Sequence, residues 1–323
     1  MTNNMAATTL SRPETVSRME RMAELIGVLA PAEGYTMSAL DEVKFLRANH
    51  SLPRTPVLYE PCIIFVCKGR KRGYFADQVY LYDTQHFLVL SLPLPLESET
   101  EASPEEPMLA ISIRIDLSTL AELALAMGQP ASPDDADVVG ISSTPIDDKL
   151  GDAVVRLLEV LACPVEASVL GQPIIREIYF RVMTGAQGAA IRAALTHQSH
   201  FARIGKALRL IHAHFDADLD VDTLAEAANM SVAAFHAGFK TVTGTSPIQY
   251  LKATRLHKAR ILMIQEGFNA SVAASKVGYE SPSQFSREFK RFFGRTPVDE
   301  ANFMKDAMAL RLRVQPPEAR AQA

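Results

Sequence analysis

Tryptophan is absent from this 323-residue chain, cysteine occurs three times, and no apolar run reaches the ~18 residues that a membrane-spanning helix requires. Cys62, Cys67 and Cys163 are odd in number and form no CxxC pair, which excludes a disulfide framework and a zinc knuckle. They read as small buried hydrophobes. The N-terminus, MTNNMAATTL, has no basic segment followed by an apolar one, so the expectation is a cytoplasmic protein with no membrane partner. There is no P-loop, no GxGxxG and no Ser/His/Asp order, and the first 140 residues hold only His50 and His86. A catalytic metal needs three or four convergent ligands, so neither a metal nor another cofactor is expected. Asp83 and His86 lie close in sequence, but a turn residue and a strand start account for them.

What is present points to a folded, divided protein. Hydrophobic residues make up 48% and charged residues 22%, a globular composition, and the length suits two cores better than one. The net charge is −4, yet residues 199–305 carry 14 Lys/Arg against 10 Asp/Glu and the remainder is strongly acidic. A basic third within an acidic whole suits an anion-binding module, although chance unevenness between two ordinary domains gives the same figure.

Glu14 to Ala30 shows one apolar helical face, ended by Pro31 and Gly34. From Pro56 to Leu96 the pattern becomes short runs of Val, Ile, Tyr and Phe: 62–67, 73–76, 79–82 and 86–92. With 108–116 these predict an antiparallel sheet or small barrel, and the acidic ESETEASPEEP (97–107) predicts a surface loop. Leu150, Val154, Leu157 and Leu161 mark a helix over 147–161 with heptad-like spacing. That stripe is read as a homodimer element, with burial inside its own domain as the alternative. The expected units are therefore a β-rich domain (1–140), a helical connector (141–198), a helical domain (199–305) and a disordered tail (306–323).

The helical third carries the specific signal. In DTLAEAANMSVAAFHAGFKTV (222–242) two short helices meet at Asn229-Met230: Asn tolerates a left-handed turn, and Ser231 caps the second helix. A comparable unit, SVAASKVGYESPSQFSREFKRFFG (271–294), turns at Gly278 and enters its second helix through Ser281-Pro282. PIQYLKATRLHKARILMIQEG (247–267) joins them as a rod of roughly 30 Å, suited to two heads in successive major grooves about 34 Å apart.

The order FHAGFKTVTGTSPIQYLKATRLHKARILM, then VGYESPSQFSREFKRFFGRTP, resembles the DNA-binding domain of AraC/XylS-family transcriptional regulators. The β-rich half resembles, less specifically, the cupin-like sensory halves of part of that family. The resemblance implies an α+β chain: a cupin-like antiparallel barrel with flanking helices that senses an effector, and an all-α domain with two helix-turn-helix units that binds double-stranded DNA; the stripe on 147–161 adds the expectation of a homodimer. It implies no enzyme; the alternative is a cupin-like enzyme with an appended helical module. Candidate DNA contacts are Val232, Ala233, His236, Ala237 and Lys240 on the first reading helix, and Ser283, Gln284, Arg287, Lys290 and Arg291 on the second. Gln284 and Arg287 are types that pair with adenine and guanine edges, whereas Ala233 and Ala237 offer only apolar contact to a thymine methyl. The family often has Arg where this chain has Ala237, so the second head is expected to be the more base-specific. Lys290, Arg291 and Arg295 suit phosphates. The recurring Phe235, Phe239, Phe285, Phe289 and Phe292 read as core.

One basic run lies outside that domain. If 66–74 is a strand, Lys68, Arg70, Arg72 and Tyr74 share a face, where like charges repel unless an anion or carboxylates neutralise them. This suggests an anionic effector, such as a cyclic dinucleotide. The competing reading is a solvated face that blunts a sheet edge.

Overall fold

A computed structural model describes residues 17–75, 77–128, 140–185, 188, 191 and 200–303. The expected disordered tail falls outside these residues, as does the end of the connector. Among the described residues, ten antiparallel strands form two sheets. The larger has the order β1 (Gly34–Met37), β2 (Val43–Ala48), β9 (Met108–Arg114), β4 (Cys62–Lys68), β7 (His86–Leu90), β10 (Ile141–Pro145). The smaller runs β3 (Leu52–Tyr59), β8 (Leu94–Glu101), β5 (Arg70–Phe75), β6 (Gln78–Asp83).

Strand periodicity sorts the side chains into two cores. Between the sheets lie Ile64, Val66, Leu88, Leu90 and Ala110 from the larger sheet and Phe75, Tyr82, Leu94 and Leu96 from the smaller. The opposite face of the larger sheet, with Phe45, Ile63, Phe65, Phe87 and Val89, is covered by helices. Those helices are α1 (Arg18–Leu29), α2 (Leu117–Ala126), α3 (Asp148–Leu161) and α4 (Pro164–Thr184). Ser17 starts α1 with a reciprocal capping box to Glu20, and Asp147 caps α3.

Three expectations are corrected here. The acidic stretch 97–107 is not all loop: Glu97–Glu101 belongs to β8, where Leu94, Leu96, Ser98 and Thr100 turn inward and Pro95, Glu97, Glu99 and Glu101 turn outward. Charge density masked a period-2 pattern. The stripe on α3 is not a free surface: Leu150, Val154, Leu157 and Leu161 are at most 6% exposed and pack with α1, α4 and the larger sheet. Nor does a connector start at residue 141, since β10 pairs with β7 inside the larger sheet.

The C-terminal helices are α5 (His200–Ala213), α6 (Val221–Ala227), α7 (Val232–Thr243), α8 (Pro247–Gln265), α9 (Ala270–Lys276) and α10 (Pro282–Phe293). The first head closes around Phe201, Ile204, Leu208, Leu224, Phe235, Phe239 and Tyr250. The second closes around Leu256, Ala259, Met263, Ala273, Phe285 and Phe289. The rod α8 thus gives its N-terminal turns to one core and its C-terminal turns to the other. The two heads share their terminators: Ser231 and Ser281 cap α7 and α10, and Gly244 and Gly294 end them in left-handed conformation.

The interhelix turns are built as the residue types require. Asn229, at φ 50°, is the single non-glycine residue with positive φ among the described residues. Gly278 has φ +81°, and a Cβ there would lie 2.4 Å from the Asp216 carbonyl oxygen, so both conformation and space demand glycine.

Candidate functional site

Burial separates the two faces of each reading helix. On α7, Phe235 and Phe239 are buried while Val232, Ala233, His236, Ala237 and Lys240 are exposed. On α10, Phe285 and Phe289 are buried while Ser283, Gln284, Arg287, Lys290 and Arg291 are exposed. The structure therefore gathers the ten candidate DNA contacts on the outward faces of two helices with equivalent caps. Among the described residues, Arg287, Lys290 and Arg291 make no ion pair, so their charges are open to an anionic partner. Arg295 differs: with Arg260 it grips the buried Glu300, at 3.1 and 3.4 Å, and is committed to the fold.

Three contacts fix the reading heads. Arg255 on α8 donates from Nε to the Phe215 carbonyl (2.7 Å), from Nη2 to Ala217 (2.8 Å) and from Nη1 to Gly278 (3.1 Å), tying the end of α5 to the turn of the second head. Tyr250, fully buried, donates to the Pro93 carbonyl at 2.7 Å, and Leu92 sits in the core of the first head. The link between β7 and β8 is thereby plugged into the C-terminal helical domain. His212 Nε2 lies 2.7 Å from the same hydroxyl; burial, then the nearby Lys258 charge, lowers its pKa to about 4, so the ring is neutral. Glu288 on α10 is the third centre. It accepts from Lys252 Nζ (3.0 Å), Tyr279 Oη (2.8 Å) and Gln284 Nε2 (3.2 Å).

The basic run of the first half is arranged differently from expectation. Residues 66–74 are not one strand: Gly69, at φ +76°, breaks the chain between β4 and β5. Lys68 pairs with Glu106 at 3.1 Å, Arg70 with Glu101 at 3.4 Å and Arg72 with Glu99 at 3.5 Å and with Glu101; Tyr74 Oη donates to Glu99 at 2.6 Å. Carboxylates of β8, with Glu106 beyond its end, supply the counter-charge that the sequence left open. The charge that sequence reasoning missed is Lys71, which the same alternation turns inward. It is 7% exposed, donates to Tyr59 Oη at 3.3 Å, and has no ion-pair partner among the described residues. Its inward register between Arg70 and Arg72 was the available signal.

A cavity of about 460 Å³ lies between the smaller sheet and the C-terminal helices. Pro56, Phe75 and Leu96 line one side and Leu256, His257 and Phe292 the other, with Arg54, Glu97, Lys252, Glu288 and Arg291 among its polar residues. Arg54 is paired with Glu97 and Lys252 with Glu288. His257 is 2% exposed and its Nε2 has no hydrogen-bond partner; burial, then Arg260, holds its pKa well below the ordinary value. The cavity thus offers an apolar body and one guanidinium, that of Arg291, with no ion pair among the described residues; the His257 Nε2 is itself closed to solvent. Cys62 and Cys67, by contrast, are buried thiols pushed up to about 11 and about 12, consistent with their packing role. No group of three His, Cys, Asp or Glu residues among the described residues could hold a metal.

A β-rich domain clamped to a pair of capped helix-turn-helix heads is the architecture of a one-chain regulator. Family models agree: residues 39–190 match the AraC-type transcriptional regulator N-terminus and residues 224–300 a helix-turn-helix domain. The chain belongs to the AraC family of transcriptional regulators. It is 35% identical over 94 residues to the HTH-type transcriptional regulator AlkR of Acinetobacter baylyi, covering 29% of this chain and 31% of AlkR. Over 77 residues it is 42% identical to the RCS-specific HTH-type transcriptional activator RclR of Escherichia coli, covering 24% and 27%. The chain therefore spans about a third of the length of these curated relatives. ToxT from Vibrio cholerae, solved with an unsaturated fatty acid bound, has a similar fold: TM-score 0.54 at 12% identity, over 83% of this chain and 96% of ToxT. No described helix is long and apolar enough to cross a membrane.

Proposed function

We propose that this protein is a DNA-binding transcriptional regulator in which α7 and α10 enter the major groove and the β-rich domain controls them through a bound effector. The observation that carries the DNA reading is the outward face of α10. Ser283, Gln284, Arg287 and Lys290 stand there exposed and unpaired with any carboxylate except through the Gln284 amide, on a helix fixed by Phe285 and Phe289. Arg287 is the guanine-reading type, and Lys290 and Arg291 suit phosphates.

The effector fitting the interdomain cavity is an amphipathic organic anion. Its apolar body would lie against Pro56, Leu96, Leu256 and Phe292, and its anionic end would meet Arg291. The fatty acid bound by the structurally similar ToxT supports this chemistry. The anionic character expected from the sequence is retained, but its seat moves from the Lys68, Arg70, Arg72 and Tyr74 cluster, whose charges are met by glutamates, to the cavity.

Selection from a randomised duplex library with the full chain, followed by binding of the selected duplex, tests the DNA reading. Arg287→Ala should weaken that duplex by about tenfold or more and relax one or two base positions. Equal affinity and equal preference would refute it. A C16 cis-unsaturated fatty acid should raise the melting temperature of the wild type and raise it less in Arg291→Ala; equal shifts would remove the cavity as its site.

A further inference from the structure

Gln284 is exposed on the reading face of α10, and an isolated glutamine there would pair with adenine in two ways at once, donating to N7 and accepting from N6. Its neighbours restrict that choice. Its Nε2 lies 3.2 Å from Glu288 Oε1. An ionised carboxylate only accepts, so the amide nitrogen has to face it and the carbonyl oxygen has to face away. Glu288 is held in that state: although burial opposes it, donation by Lys252, Tyr279 and Gln284 lowers its pKa. Its side chain is 13% exposed and anchored from α8 by Lys252 and from the interhelix turn by Tyr279. Rotating Gln284 by half a turn would set its carbonyl against a carboxylate, a contact with no proton between the oxygens.

We propose that Glu288, held by Lys252 and Tyr279, is a positioning residue that presents the Gln284 carbonyl oxygen outward, so that the second head selects a base carrying an exocyclic amine. In the major groove those groups are adenine N6 and cytosine N4; guanine and thymine present acceptors at the corresponding edge and would face oxygen with oxygen. Specificity at this position is therefore largely exclusion of a like-polarity edge. Arg287, which has no part in the Glu288 cluster, reads its own base independently. Glu288 and Lys252 also line the interdomain cavity, so the cluster that orients a base reader forms part of the wall where the effector is placed.

The inference rests on α10 being a DNA-reading helix, and the experiment separates the two. A randomised duplex library is selected with full-length wild type, Gln284→Ala, Arg287→Ala, Glu288→Gln and Tyr279→Phe, each first checked for native circular dichroism and melting. In the wild type, one position should prefer adenine or cytosine over guanine or thymine by about tenfold. Gln284→Ala should abolish that preference. In Glu288→Gln the new amide can donate as well as accept, so Gln284 turns freely and the preference should fall to about twofold or less, while the Arg287 position keeps its guanine preference. Tyr279→Phe removes one of the two anchors and should lower the preference less than Glu288→Gln does, because Lys252 still holds Oε1 against Gln284. Purine in place of adenine, which deletes the N6 amine alone, should cost the wild type about tenfold and Glu288→Gln little. If Glu288→Gln keeps full discrimination while Gln284→Ala loses it, the positioning role is wrong and Gln284 reads unaided. If neither Gln284→Ala nor Arg287→Ala alters any position, α10 does not read bases and the functional reading itself fails.

Discussion

Removing the Arg255 guanidinium should loosen the two heads from each other. Its three donors meet Phe215, Ala217 and Gly278 carbonyls at 2.7, 2.8 and 3.1 Å, all at helix ends where backbone oxygens lack helical partners. A hydrogen bond from a charged donor contributes about 1.5–3 kcal/mol, and the half-exposed site argues for the low end. Arg255→Met keeps the aliphatic stem and should cost about 4–5 kcal/mol in urea unfolding, the three bonds together at the low end. Arg255→Lys keeps the charge but places it at a single point, and should recover about one bond's share. The functional effect is separable from the loss of stability. With the tie cut, a duplex presenting both half-sites should lose affinity while a single half-site binds as before, and insertion of one base pair between half-sites should be penalised less than in the wild type. A loss under about 1 kcal/mol, together with an unchanged spacing preference, would show that the core residues of α8 alone set the geometry of the heads.

Leu157→Ala should cost about 2–5 kcal/mol, because the side chain is fully buried, and light scattering of the folded fraction should match the wild type; a selective loss of dimer would return the stripe to an interface role. Lys290→Ala should weaken selected and random duplexes alike and lower the salt slope by about 0.9, one phosphate's share; a loss confined to one sequence would contradict that. Asp116, the N-cap of α2, is drawn down to about 2 by the Thr119 hydroxyl first, with Ser118 and two backbone amides also donating. Its folded pKa lies below the unfolded one, so its contribution is complete above about pH 4 and disappears as pH falls towards 2. In this mostly solvated site that amounts to about 1 kcal/mol, and Asp116→Asn should flatten the stability curve over that window. An unchanged curve would mean that the cap bonds form equally to the neutral acid.

The C-terminal half was legible because its determinants are local. Caps Ser231 and Ser281, the left-handed Asn229 and Gly278, and the Phe spacing each act within a turn or two of helix, and the structure places them as the residue types demand. Strands β4 to β7 and β9 were legible for a similar reason, since alternation is a local property.

What escaped was what depends on distant partners. The β8 glutamates looked like a loop because their charge is compensated by arginines, including Arg54, Arg70 and Arg72, that only strand pairing brings opposite them. The same helical period on α3 fits a partner subunit or an own core equally well; α1, α4 and the larger sheet decided it. Gln284 was a candidate base reader from its position alone, but its orientation depends on Glu288, and that of Glu288 on Lys252 from another helix. The cavity between the halves has no sequence signature, because its walls come from segments about 50 to 290 residues into the chain that approach only when both halves have folded. Local pattern fixes elements through short-range sterics and hydrogen bonding, whereas the pairing of charges and the shape of a cavity are set by which elements tertiary packing brings together.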